Sequence, residues 1–221
     1  MWRDVALVAE RDLRVEWRSR VALNQVAPFA LLVLILFAFA LDPDTGVLAS
    51  ATAGLYWLVV LFSGLLAVSR STSLDETDGI RDALRLSGLS TAGVFLGKVA
   101  AVAAQLLLLE VVLVGAVAVL YGTDLGGYPL MAATIVAATL AVASTGVLYG
   151  AVVAGVRVRD TLLPVLLLPT LAPVLIGATK AFETAFGHEG LNGWGWCGLV
   201  AFFAVVYLVA GSLAYGALLE G

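Results

Sequence analysis

The residues that could do chemistry in this chain are few and far apart. Among 221 residues there is one histidine, His188, and one cysteine, Cys197. His188 stands in the polar run FGHEG; imidazole often serves as an axial haem ligand, but the plainer reading, adopted here, is a loop histidine in water. A single cysteine allows no disulfide within the chain and no cysteine metal cluster, so Cys197 is expected to pack as a small hydrophobe. One histidine and scattered acids assemble no Ser-His-Asp set. No catalytic residue and no metal ligand is assigned.

Two polar residues stand inside an apolar run. Glu110 lies midway along it, with Gln105 five positions earlier. A carboxyl in lipid is costly, which makes it a functional candidate facing a bundle interior. The alternative is a protonated glutamate hydrogen-bonded to a neighbouring helix, through Gln105 or a residue such as Ser144 or Thr145. A proton relay needs further buried acids or a histidine, and the other apolar runs hold none.

Nucleotide chemistry is missing too. No G-x-x-x-x-G-K-[ST] occurs: Gly97-Lys98 is followed by Val99, and Ala92 stands where the upstream glycine belongs. Without a P-loop the chain cannot hydrolyse ATP by that route. It is read as a non-enzyme whose energy comes from a partner or an ion gradient.

The elements that position these residues follow from composition. The chain is 62% hydrophobic and 13% charged, with a mean hydropathy of +1.04. Soluble domains are roughly half apolar and about a quarter charged. Backbone groups in lipid must be satisfied within helices or closed barrels, and the long continuous apolar runs favour helices. The net charge of −4 argues against nucleic acid as a partner. The expected architecture is an all-α integral membrane protein with six spans, at residues 21–41, 47–69, 94–120, 129–153, 161–177 and 194–218.

Residues 1–20 precede that 21–221 permease domain as an amphipathic helix. Trp2, Val5, Ala6, Ala9, Leu13 and Trp17 recur on one face. Arg11, Arg14 and Arg18 lie around the other side, with Asp12 among them. The reading is an interfacial helix lying flat on the membrane; the alternative is a solvated helix packed on another subunit. No secretory signal peptide is read in this segment. Of the twelve Lys and Arg, only Lys180 falls outside the N-terminal segment, the 70–98 region and the 157–159 loop. With six spans these places share one side, the cytoplasm, together with both termini. Lys98 is expected to snorkel toward that side.

The charged stretch at residues 70–90, RSTSLDETDGIRDALRLSGLS, must stand in water between two spans. Asp75, Glu76 and Asp78 precede a helical stretch at 79–86, where acids suit a helix N-terminus. Ile80, Ala83 and Leu84 give it an apolar edge, and Arg81, Asp82 and Arg85 give it charge. It is read as a coupling helix inserted into a cleft on another protein, against the alternative of a solvated loop. In the fifth span, Pro169 and Pro173, four apart, each remove a helix hydrogen bond, which gives either a hinge or a static kink.

These segments together resemble the CcmB family, the haem exporter protein B membrane subunits of the cytochrome c maturation ABC system, within the wider ABC-2-type permeases. RDLRVEWRSR resembles the family's N-terminal segment, LYWLVVLFSGLLAVSRS its second span and DETDGIRDALRLSGLS its acidic loop. GKVAA resembles the start of its third span, and LLLPTLAPVLIGATKAF, the most specific piece, its proline-bearing fifth. The resemblance covers nearly the whole chain; the Asp- and Glu-rich loops depart from bacterial members.

What the resemblance implies is a cell-membrane permease paired with an ATP-binding subunit, CcmA, in a core with two copies of each. CcmC, CcmD and the haem chaperone CcmE stand beside it, and ATP turnover promotes release of haem-loaded chaperone. Haem is then a handled ligand, and ATP is bound by the partner. By position, Asp75, Glu76, Asp78, Gly79, Arg81, Leu84 and Leu86 belong to the segment facing the ATPase, with Arg157, Arg159 and Asp160 as a second contact. The other readings are an ABC-2 exporter of a lipid, polysaccharide or drug, and a non-transporting assembly scaffold.

Overall fold

The computed structural model describes residues 1–19, 22–41, 46–77, 88–123, 126–154, 156, 158–187 and 192–220. Every regular element among the described residues is helical. Helix α1 covers Trp2–Ser19, and a π turn at Ala22–Val26 leads into α2 (Ala27–Ala40). Then come α3 (Val47–Thr77), α4 (Thr91–Tyr121), α5 (Tyr128–Val152), α6 (Arg159–Ala185) and α7 (Gly193–Glu220). An apolar chain in lipid has no solvent partner for its amides, so it closes them within long helices. The ends are marked by local chemistry: Pro129 presets the first turn of α5, and Gly122 stops α4 with a left-handed φ of 61°.

Five helical segments are long and apolar enough to cross a membrane: Val47–Thr72, Thr91–Tyr121, Tyr128–Val152, Thr161–Ala185 and Gly193–Leu218. The chain is a multi-pass membrane protein. Six spans were expected, and the first is the one that differs. Residues Asn24–Ala40 form a shorter apolar helix, and the 14 residues of α2 measure about 21 Å at 1.5 Å per residue, less than the ~30 Å of hydrocarbon. The π turn ends two residues before Pro28, which cannot donate to the Asn24 carbonyl within that turn and crowds it.

Two other boundaries move outward. The 31 residues of α3 reach about 46 Å, so its last turns project past the hydrocarbon, where the charged stretch was expected to begin at Arg70. Helix α6 runs unbroken through Pro164, Pro169 and Pro173 to Ala185, beyond the expected end at residue 177. The residues from Lys180, expected in a loop, remain helical, and Lys180 Nζ pairs with Glu183 at 2.7 Å one turn on.

Helix α5 sits at the centre of the bundle and packs on α3, α4, α6 and α7. Ala138, Ala141, Ala143, Ser144 and Gly146 are all buried there, and small residues let backbones approach closely where lipid supplies no hydrophobic drive. A Cβ at residue 146 would collide with the Val68 side chain of α3. Other large apolar side chains turn outward: Phe39 is 87% exposed, Val119 84% and Leu213 78%, which suits lipid contact.

The two ends of the bundle differ. At one, Tyr56, Trp57 and Phe182 cluster with ring centroids 4.9 to 5.2 Å apart, the Tyr121 hydroxyl donates to the Leu34 carbonyl, and Gly127 N–H donates to the Ala185 carbonyl. Lys180 belongs to this end. The other end collects α1, the C-termini of α3, α5 and α7 and the N-termini of α4 and α6, with Thr72 beside Gly150 and Thr91 beside Gly216. Arg70 and Lys98 lie there, so the basic asymmetry along the sequence becomes one charged end in space.

Candidate functional site

The charged end is built around α1, and the face α1 uses is not the one its tryptophans mark. Trp2 and Trp17 are 76% and 71% exposed, and Ala6 is exposed beside them. The docked stripe is Asp4, Val8, Asp12 and Glu16, spaced four apart on adjacent turns. Val8 lies so close to α4 that a Cβ on Gly97 would stand 2.7 Å from the Val8 Cβ and 2.9 Å from the Val5 carbonyl oxygen. The three acids around it each meet a partner on the bundle.

Asp4 accepts from the Ser90 hydroxyl at 2.7 Å and the Ser90 backbone N–H at 3.1 Å. Ser90 stands in extended conformation immediately before α4 and makes no side-chain cap of its own helix; Asp4 takes up its donors instead. The Ser90 hydroxyl, then its N–H, hold the Asp4 carboxyl below its ordinary value, because a hydrogen bond to the charged form favours that form. Asp12 accepts from Arg11 Nε at 2.8 Å and stands 3.7 Å from Lys98 Nζ. Lys98, 3% exposed, is therefore covered by α1 rather than snorkelling to solvent. Glu16 accepts from Arg70 Nε of α3 at 3.0 Å.

The residues expected to contact a partner fall at this end where the structure describes them. Asp75 and Glu76 lie in the last turn of α3, and Arg159 and Asp160 open α6. Asp78, Gly79, Arg81, Leu84, Leu86 and Arg157 lie outside the described residues, as does His188. Helix α1 thus grips both flanks of the segment at 78–87: Arg70 on α3 before it and Ser90 ahead of α4 after it.

Inside the bundle, Glu110 faces the interior at 1% exposure. Its Oε2 accepts from the Thr139 hydroxyl of α5 at 2.7 Å. None of the partners named from sequence is used: Ser144 and Thr145 return their hydroxyls to carbonyls of α5 itself. Gln105, one and a half turns before Glu110, instead lines a cleft of about 310 Å³ with Gln25, Ser63 and the Glu16–Arg70 pair. Cys197 is a buried free thiol.

The proline pair brackets a third polar node. Pro169 and Pro173 cannot donate to the carbonyls four residues before them. Between them, the Thr170 hydroxyl donates to the Leu166 carbonyl at 3.0 Å and lies 3.1 Å from the Tyr149 hydroxyl of α5. Tyr207 of α7 donates to the Thr170 carbonyl at 2.7 Å. The hydroxyls of two neighbouring helices therefore brace α6 where its own ladder is interrupted.

Several of these residues escaped sequence reading. The four-residue spacing of Asp4, Val8, Asp12 and Glu16 is visible in the sequence and, read as a docking stripe, marks the face of α1 that packs. Thr139, Tyr149, Thr170 and Tyr207 leave no such signal, because their partners lie on other helices.

Comparison with known proteins identifies the family. The family described as CcmB protein matches residues 3–221. A protein of Paracoccus denitrificans named Heme exporter protein B is 32% identical over 208 residues, covering 92% of this chain and 89% of its own length. One of the same name from Haemophilus influenzae is 28% identical over 185 residues, covering 84% and 82%. With five helices of spanning length and this match over nearly its whole length, the chain is a multi-pass protein of the cell membrane and belongs to the CcmB protein family.

Proposed function

We propose that this chain is the permease subunit of an ABC transporter acting in cytochrome c maturation. A partner, CcmA, hydrolyses the ATP in a core with two copies of each subunit. CcmC, CcmD and the chaperone CcmE stand beside that core, and haem or the haem-loaded chaperone is the substrate of the cycle. Family membership and the name Heme exporter protein B carried by the relatives support this reading. In it the charged end faces the cytoplasm, α2 makes a sixth crossing, and both termini share the cytoplasmic side.

One observation carries the mechanism: α1 is bonded to both flanks of the segment at 78–87, through Glu16–Arg70 and Asp4–Ser90. A partner pressing on Asp75, Glu76, Asp78, Gly79, Arg81, Leu84 and Leu86 then pushes on a braced frame rather than a loose loop. The force passes into α3 and α4, and from them into the packed bundle. Arg157, Arg159 and Asp160 at the start of α6 form the second contact. The exposed Trp2 and Trp17 face of α1 rests on the membrane surface, where tryptophan and arginine are favoured.

The test is co-purification from native membranes. The chain recovers an ATPase subunit, and charge reversal at Asp78 together with Arg81 lowers that recovery and the coupled ATPase rate by about tenfold or more. Unchanged coupling in that variant overturns the docking assignment. A deletion strain loses covalent c-type haem and keeps its other haem proteins; loss of a lipid, polysaccharide or drug export in its place overturns the substrate assignment. Cytochromes that still mature with an ATPase-dead partner reduce the chain to a scaffold.

A further inference from the structure

A cleft of about 310 Å³ lies between α1, the π turn, α3 and α4, with the Glu16–Arg70 pair at its rim. It is at the small end of the range for ligand pockets, enough for a headgroup and a few methylenes but not for a whole lipid. Its lining changes character along its length. Glu16, Arg70 and Gln25 stand at the charged end, Gln105 follows, and Leu66, Leu106 and Leu109 form the apolar wall. On α3 the distance from Arg70 to Ser63 is seven residues, about 10 Å at 1.5 Å per residue. That is the depth over which a bilayer passes from headgroups to acyl chains.

Two observations point to an occupant. Ser63 lines the cleft at 1% exposure, and its buried hydroxyl has no hydrogen-bond partner among the described residues. A buried hydroxyl left unpaired is costly, and a ligand oxygen in the cleft relieves that cost. Leu66, also on the lining, is 48% exposed within the spanning part of α3. The cleft therefore opens sideways toward lipid.

The charges narrow the class. Glu16 and Arg70 face each other at 3.0 Å, so the charged end offers both signs. A purely anionic headgroup is attracted by Arg70 and repelled by Glu16; a zwitterion can satisfy both. We infer that this cleft binds a zwitterionic phospholipid with a primary amine. The phosphate lies toward Arg70, the ammonium toward Glu16, and the glycerol esters toward Gln105 and Ser63. Leu66, one turn in from Arg70, flanks the glycerol region, and the upper acyl chain rests on Leu106 and Leu109. The site is independent of which substrate the transporter handles, so it stands or falls apart from the proposed function.

The experiment is native mass spectrometry of the full chain, titrated with phosphatidylethanolamine, phosphatidylglycerol and free phosphoethanolamine. Phosphatidylethanolamine is retained about tenfold more tightly than phosphatidylglycerol. Gln105→Leu and Ser63→Ala each reduce that preference, with helical content by circular dichroism unchanged. Equal retention of the two lipids overturns the inference, because it marks annular lipid only. Undiminished preference in both variants also overturns it, and binding of free phosphoethanolamine as tight as the lipid's reassigns the cleft to a soluble zwitterion. The lipid comparison on the unmodified chain decides the matter even where a variant fails to fold.

Discussion

Arg70 of α3 donates from Nε to the Glu16 carboxylate of α1 at 3.0 Å, joining two residues 54 positions apart. Both side chains are mostly covered, at 30% and 11% exposure. Removing one partner of such a pair leaves the other charge poorly solvated. Arg70→Ala is expected to destabilise the α1 contact by about 1–3 kcal/mol, discounted for the partial exposure from the fully buried case. The double exchange Glu16→Arg with Arg70→Glu recovers part of the loss. A double-mutant cycle on unfolding in detergent measures the coupling, and strict additivity of the two single changes contradicts the pairing.

The approach of α1 to α4 rests on the missing side chain at Gly97, where a Cβ would stand 2.7 Å from the Val8 Cβ. Gly97→Val forces the helices apart, at a cost of about 1–3 kcal/mol as in other overpacked contacts. Amide exchange in α1 is expected to rise while exchange in α5 stays slow. Unaltered α1 protection in that variant contradicts the docking.

Asp4 supplies a pH dependence of definite sign. Its carboxyl is held below its ordinary value by the Ser90 hydroxyl and N–H, so its contribution is complete above that ordinary value. The contribution declines as pH falls through the lower value of the docked state. Protection of the Ser90 amide should therefore weaken in the acid range and hold at neutral pH. In Asp4→Asn the amide is less protected at neutral pH and its acid dependence flattens; an identical profile in that variant contradicts the assignment.

The Thr139 hydroxyl reaches Glu110 at 2.7 Å in the bundle interior. Hydrogen bonds between helices in membranes average about 0.6 kcal/mol and reach about 1.7. Thr139→Val is expected to lower stability within that range, and Glu110→Gln, which keeps an acceptor for the hydroxyl, by less. Unfolding in mixed micelles provides the comparison. A loss several times larger shows that Glu110 has a further role in the bundle.

Whether the proline pair bends in use is testable through its braces. Tyr207 donates to the Thr170 carbonyl at 2.7 Å, between Pro169 and Pro173. If α6 hinges there during turnover, Tyr207→Phe with Tyr149→Phe broadens the distance distribution between spin labels placed at the two ends of α6. A static kink leaves that distribution as narrow as in the unaltered chain.

Much of this molecule was legible in the order of its residues, because lipid imposes a single rule on every segment. Runs of apolar residues must become helices, so α3 to α7 and their order follow from hydropathy, and the clustering of basic residues marks one end. Boundaries were less legible where helix and lipid part company. Helix α3 runs on to Thr77 and α6 to Ala185 because water tolerates helix as readily as loop, and the π turn before Pro28 shortens the first apolar helix.

What only the tertiary structure decided is which polar groups meet. The amphipathic pattern of α1 marked its tryptophan face, yet the docked face is the acidic stripe, because Gly97 opens a place for Val8 and Ser90, Lys98 and Arg70 surround it. Glu110 was singled out by the cost of a carboxyl in lipid, but its partner Thr139 could not be read from periodicity. Local sequence specifies which face of a helix avoids water; it does not specify which neighbour that face finds, since this depends on side chains brought together from distant positions. The short charged motifs determined where this protein meets water, and the packing of α1 across α3 and α4 decided how that end is held.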